Sequence, residues 1–228
     1  MDTILFLSFA AVYLGLFVWC VVLIARRGYL IVSDAVALVL VALIYDNLVI
    51  GLGSFIGEGA GLESANALRF WLHAFVTPLL VLVAWHVLAR AGVAFARTVA
   101  AFVIAVALTV ALIVYEVVMG AASLDLSPSG EFGVLSYSDA SAPAGPPAMV
   151  LVVAAALLAA GIGVWVRMRW PWLTVVTVVM VAGSAVPIPV PSGAVTNLFE
   201  LILLAGIVAT IVFQDARVVP RPEVLTAE

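Results

Sequence analysis

Apolar residues along this chain come in long unbroken runs, and polar residues gather in short breaks between them, unlike the short-period stripes of a soluble fold. A hydrocarbon core of about 30 Å takes about 20 helical residues to cross. Seven runs approach or exceed that length: 4–24, 34–51, 67–91, 95–119, 148–166, 171–187 and 194–213. The pattern predicts an all-α seven-transmembrane helix bundle, a single domain spanning 1–228. Punctuation agrees with these breaks. Ser33 and Asp34 supply an N-cap for the second run, and Gly92 ends the third. Pro147 and Pro171 suit first helical positions of the fifth and sixth, and the proline-rich stretch 187–191 stops the sixth.

Composition carries the same message: 66% of residues are hydrophobic and 10% charged, with a mean hydropathy of +1.32. A soluble chain is closer to half apolar and a quarter charged. The expected location is integral, in a prokaryotic plasma membrane. Every basic residue is arginine, and lysine is absent. Arg26, Arg27, Arg90, Arg97, Arg167, Arg169, Arg217 and Arg221 fall in connections on one side of the bundle, with Arg69 alone on the other. The positive-inside rule then puts the N-terminus outside and the C-terminus in the cytoplasm. The first run is read as a retained span, because Asp2 replaces a basic leader and Arg26 and Arg27 follow the apolar stretch. The single cysteine, Cys20, leaves no intramolecular disulfide and no cysteine metal cluster. This topology is similar to that of the microbial rhodopsins, but a retinal Schiff base needs a lysine and the chain has none. Seven-span sugar transporters and ceramidase-like hydrolases share the topology too. The proline-glutamine signature of the first and the several zinc histidines of the second are missing.

The connections expected on the outer side are the more elaborate. Residues 51–66 are glycine-rich and read as a flexible turn or a short re-entrant segment. The glycines at 51, 53, 57, 59 and 61 have no strand before them and no lysine after them, so close packing explains them better than a nucleotide loop. The segment 120–147 is the longest connection. Its stretch EFGVLSYSD, 131–139, is compatible with a small hairpin, and the whole segment with a lid. Cytoplasmic connections are short, so chemistry belongs in the bundle or at its outer mouth. A weak internal similarity sets 37–54 against 107–123 and aligns Tyr45 and Asp46 with Tyr115 and Glu116.

Ionisable groups inside the runs lie at matching depth: Asp46, His73, Glu116 and Glu200, with Arg69 just above His73. Asn66, Arg69, His73 and Thr77 are spaced three, four and four apart, which sets them on one helical stripe. Pro78 follows and cannot donate to the carbonyl of Ala74, which predicts a kink beside the stripe. Asn197 lies one turn before Glu200. A charge at mid-bilayer costs at least ~2.5 kcal/mol, so these side chains should face a shared interior. The candidate catalytic residues are His73, Asp46, Glu116 and Glu200; the candidate substrate-binding residues are Arg69, Asn66, Tyr45, Tyr115, Asn197 and Thr77. In this reading His73 is an acid or base, Asp46 or Glu116 its electrostatic partner, and Arg69 with Asn66 a clamp for an anionic head group.

Asp46, His73, Glu116 and Glu200 together offer three oxygens and one nitrogen to a metal, but the paired-histidine motif of membrane metallohydrolases is missing and no metal is expected. No cofactor is identifiable. His86 and Arg90 form a separate one-turn pair near the inner end and read as interfacial anchors. The expectation is a lipid- or isoprenoid-modifying enzyme with membrane lipids as partners and no nucleic acid. The alternative is a small transporter or a proton- or cation-coupled conductance using the same carboxylates. A second alternative is a non-catalytic receptor or assembly subunit. Oligomeric state is not legible in the sequence.

Overall fold

A computed structural model describes residues 2–142, 147–185 and 192–218. The long apolar runs are helices: α1 (Asp2–Arg27), α2 (Val36–Ile56), α3 (Ala60–Val76), α4 (Leu79–Arg90), α5 (Val99–Glu116), α6 (Ala148–Met168), α7 (Trp172–Ala185) and α8 (Gly193–Val218). Among the described residues, counting α3 with α4, six helical stretches are long and apolar enough to cross a membrane, the build of an integral membrane protein. The remaining one, α7, is apolar but only 14 residues long.

Local chemistry explains where the helices stop. Pro78 divides the third run as expected, ending α3 at Val76 and starting α4 at Leu79. Beyond it the N–H groups of Leu80 and Val81 reach back only three residues, to Thr77 and Pro78, each at 3.0 Å. The Thr98 hydroxyl caps α5 by accepting from the Ala101 amide at 3.2 Å, so that helix starts later than the apolar run does. At its far end α5 passes into a π turn, Val117–Ala121.

The glycine-rich segment 51–66 is not the flexible or re-entrant connection its composition suggests. Helix α2 continues to Ile56 and α3 begins at Ala60, leaving only 57–59 between them. Gly57 and Gly59 turn the chain there with φ of +84° and +147°. Gly53 has a different task. A Cβ at Gly53 would overlap the carbonyl oxygen of Leu135, which sits directly on the helix.

Leu135 belongs to the hairpin in the long connection: β1 (Leu126–Glu131) and β2 (Val134–Asp139) pair antiparallel, with Leu126 opposite Asp139 and Glu131 opposite Val134. Phe132 and Gly133 form its two-residue turn with φ of 48° and 86°, the left-handed pair that matches strand twist. The hairpin therefore starts five residues earlier than the alternation in 131–139 implies. It is anchored rather than free. Thr3 and Ser54 donate hydroxyls to the Gly133 carbonyl at 3.1 and 2.8 Å. The Gly59 amide donates to the Tyr137 hydroxyl at 3.1 Å, and the Tyr137 ring is buried against Val49 and Leu62.

Helices α1, α2, α4, α6, α7 and α8 enclose the main core. In it α1 packs on α2 and α8, α4 on α6, and α7 on both α6 and α8. Tyr13, Leu40, Val83, Leu157 and Ile207 are among its buried centre. Helix α5 packs outside this ring, on α3 and α4. Below Pro78, α4 packs on α6, but above it α3 makes no substantial contact with α6. Among the described residues, a cavity lies between the two there, at the hairpin end.

The opposite end is closed by an ionic network spread over distant parts of the chain. Arg27 donates to both Asp34 carboxylate oxygens, at 2.8 and 3.2 Å, and to Asp215 at 3.1 Å, while Arg90 donates to Asp215 at 2.6 Å. Asp34 also accepts from the Ile31 amide at 2.8 Å and so caps the short turn Val32–Ala35 that leads into α2. His86 Nδ1 lies 3.1 Å from the Ser33 hydroxyl and accepts from the Ser33 amide at 3.3 Å. His86 and Arg90 are thus ties between helices. Lone interfacial anchors would not need partners this well buried.

Candidate functional site

Four helices deliver polar side chains to one cavity of about 320 Å³ at the hairpin end. Asp46 comes from α2, Arg69 and His73 from α3, Glu116 from α5, and Asn197 and Glu200 from α8; Leu43, Phe70, Pro147 and Met149 complete the wall. The common depth of these residues along separate helices thus becomes a common space.

Arg69 is held from two sides. Its Nε donates to Asp46 Oδ1 at 2.7 Å, and Nη1 donates to Asn66 Oδ1 at 2.5 Å. Asn66 is fully buried, and its own amide donates to the Leu62 carbonyl at 2.8 Å, which fixes the oxygen toward Arg69. One-turn spacing on α3 makes this contact possible. Of the two residues expected to clamp a head group, Arg69 lines the cavity and Asn66 does not. Asn66 stands behind the cavity as a positioning residue, and two of the five Arg69 N–H groups are taken by protein acceptors.

His73, Glu116 and Glu200 make no hydrogen bond or ion pair with a described residue, although all three line the cavity. Three carboxylates face one guanidinium, so the lining carries excess negative charge that a proton or a cationic ligand group offsets. Asn197 adds an acceptor: its Nδ2 donates to the Gly193 carbonyl at 3.3 Å, and its buried Oδ1 has no described partner. Tyr13 on α1 was not singled out by the sequence, because a tyrosine in an apolar run looks like packing. It is fully buried and its hydroxyl donates to the Asn197 carbonyl at 3.4 Å.

The space continues in two directions. Past His73 and Glu200 it reaches an apolar pocket of about 60 Å³ lined by Thr77, Leu80, Val153, Leu157, Met180 and Leu204, among others. Sideways, Phe70, His73, Glu116 and Pro147 also line a cavity of about 470 Å³ that runs along the π turn to Tyr115, Met119, Asp139 and Ser141. With a small void between α2 and α3, His73 borders four adjoining cavities. At the edge of the side cavity the Asp139 carboxyl lies below its ordinary range, because it accepts from the Ser141 hydroxyl and from the Ser141 and Asp125 amides.

The two tyrosines do not join the chamber as expected. Tyr45 donates to the Ala65 carbonyl at 3.0 Å and packs beside Val49 and Tyr137. Neighbours on a helix point about 100° apart, so Asp46 facing in turns Tyr45 away. Tyr115 lines only the side cavity. Thr77 contributes to the floor rather than the polar wall. Among the described residues no three His, Cys, Asp or Glu side chains are grouped to hold a metal ion, so Asp46, His73, Glu116 and Glu200 share a cavity without converging. No family model matches the chain, and no curated protein or solved structure is significantly similar to it.

Proposed function

We propose that this chain is an integral membrane enzyme that binds a lipid or isoprenoid head-first in the chamber between Asp46, His73, Glu116 and Glu200 and modifies its head group. The observation that carries the reading is the amphiphilic shape of the cavity: a polar chamber, an apolar floor and a lateral extension between α3 and α6. A head group fits the first and an acyl or prenyl tail the others. His73 is the proton donor or acceptor, since it alone borders every part of the space. The Asp46–Arg69 pair, oriented by Asn66, is a fixed electrostatic wall, and Glu116 and Glu200 flank the head group.

The floor argues against conduction through the same groups. Between the chamber and the ionic network, Leu40, Val83, Leu204 and Ile207 are buried. The buried threonines Thr177 and Thr210 donate to carbonyls of their own helices, those of Leu173 and Gly206. A cavity with one polar end suits binding and turnover. In this reading α7, about 21 Å long, makes a seventh crossing. The arginine distribution sets the hairpin end outside the cytoplasm, with the chain in a prokaryotic plasma membrane.

The test is turnover of extracted membrane lipid by the purified protein in nanodiscs, followed by mass spectrometry. The expected result is consumption of one lipid class, slowed about 10²- to 10⁴-fold in His73→Gln. Absence of turnover combined with ion flux in liposomes would overturn the reading in favour of a transporter or conductance.

A further inference from the structure

We infer that the head group this chamber accepts is a primary ammonium on an alkyl or prenyl tail, and not a phosphate or carboxylate. The inference rests on the amphiphile reading above and adds the charge and hydrogen-bonding class of the ligand.

The argument is an inventory of what the wall still has to offer. Arg69, the one permanent cation, spends Nε on Asp46 and Nη1 on Asn66. Three N–H groups of Arg69 and the His73 ring remain, but the carboxyls of Asp46, Glu116 and Glu200 outnumber that single guanidinium in the lining, and the buried Oδ1 of Asn197 adds an acceptor with no described partner. The direction of the Asn197 amide is set by its own helix, because Nδ2 is committed to the Gly193 carbonyl. A phosphate or carboxylate brings only acceptors and adds negative charge to a lining that already sets three carboxyls against one guanidinium. A primary ammonium brings three N–H donors, no acceptor and the charge opposite to the excess on the wall. A quaternary ammonium would supply the charge but none of the donors. The tail follows from the pocket beneath, whose lining from Leu80 to Leu204 is apolar apart from Thr77, His73 and Glu200 at its rim.

The inference is tested by titrating the full-length purified protein in detergent with dodecylamine, dodecanol, dodecyl phosphate and methylamine. Native mass spectrometry and calorimetry serve as readouts. Dodecylamine is expected to bind about 10-fold or more tighter than dodecyl phosphate, one charge pair's worth of discrimination. Glu200→Gln should remove most of that preference. Glu116→Gln, nearer the side cavity, should do the same more weakly, and a melting curve of each variant checks that it is folded. Dodecyl phosphate binding as tightly as dodecylamine, or a preference that survives both substitutions, overturns the ammonium assignment and leaves the amphiphile reading intact. Methylamine binding as tightly as dodecylamine, or no binding of any dodecyl compound, overturns the amphiphile reading itself.

Discussion

Replacing Arg69 by glutamine should destabilise the protein more than replacing Asp46 by asparagine, although both break the same 2.7 Å contact. The pair is partly buried, with side chains 15% and 22% exposed. Two unit charges about 4 Å apart at an effective dielectric of about 20 attract by about 4 kcal/mol. Residual exposure scales that down, since exposed pairs are worth at most about 1 kcal/mol. Arg69→Gln leaves Asp46 in a chamber with Glu116 and Glu200 and no permanent cation, so a loss of about 2–3 kcal/mol is expected. Asp46→Asn leaves Arg69 with Asn66 beside it and two carboxylates in the same cavity, and about 1 kcal/mol is expected. At roughly 2–4 °C per kcal/mol for a chain of this size, melting temperature should fall by about 4–12 °C in the first variant and 2–4 °C in the second. The double variant should recover part of the Arg69→Gln loss, because it removes the stranded acid. The assay is thermal unfolding in one detergent at one scan rate. Equal losses, or a larger one for Asp46→Asn, would show that the three carboxylates are screened from one another, and the electrostatic account of the chamber would fail.

Three further outcomes follow from the fold. Gly53→Ala forces β2 off α2, since the overlapping atom is the Leu135 backbone oxygen. Hydrogen exchange across 126–139 should accelerate as the Ser54 and Thr3 bonds, about 1 kcal/mol each, are lost; unchanged protection would contradict the contact. Asp215→Asn leaves Arg27 with Asp34 alone and Arg90 with no described acidic partner, and neither arginine side chain is more than 14% exposed. Breaking so buried a network costs about 3–5 kcal/mol, so a melting shift under ~2 °C would refute its role in closing that end. For Asp139, a carboxyl depressed in the folded state stabilises the hairpin above its unfolded value and loses that contribution as pH falls through the folded one. Acid should therefore lower the protection factors of the Asp125 and Ser141 amides, after correction for intrinsic exchange, in the wild type, and Asp139→Asn should remove that loss. A variant that kept it would assign the effect to another group.

Much of this protein was already decided by its one-dimensional pattern. The lengths of the apolar runs made the helices, Pro78 broke the third run because it lacks an N–H, and the expense of charge in hydrocarbon turned Asp46, Arg69, His73, Glu116 and Glu200 toward a common space. Those rules act on each helix by itself, so they can be read without knowing its neighbours. They set the direction of a side chain around its own axis and its depth. They do not say which helix stands opposite. That is why the partnership of Arg69 with Asp46 and Asn66, the turning of Tyr45 toward Ala65, and the seat of the hairpin on Gly53 had to come from tertiary structure. The network of Arg27, Asp34, Arg90 and Asp215 is the clearest case. Its members lie up to 188 residues apart, Arg27, Asp34 and Arg90 looked like ordinary helix-end charges, and only the packing of α1, α4 and α8 brought them within reach of Asp215.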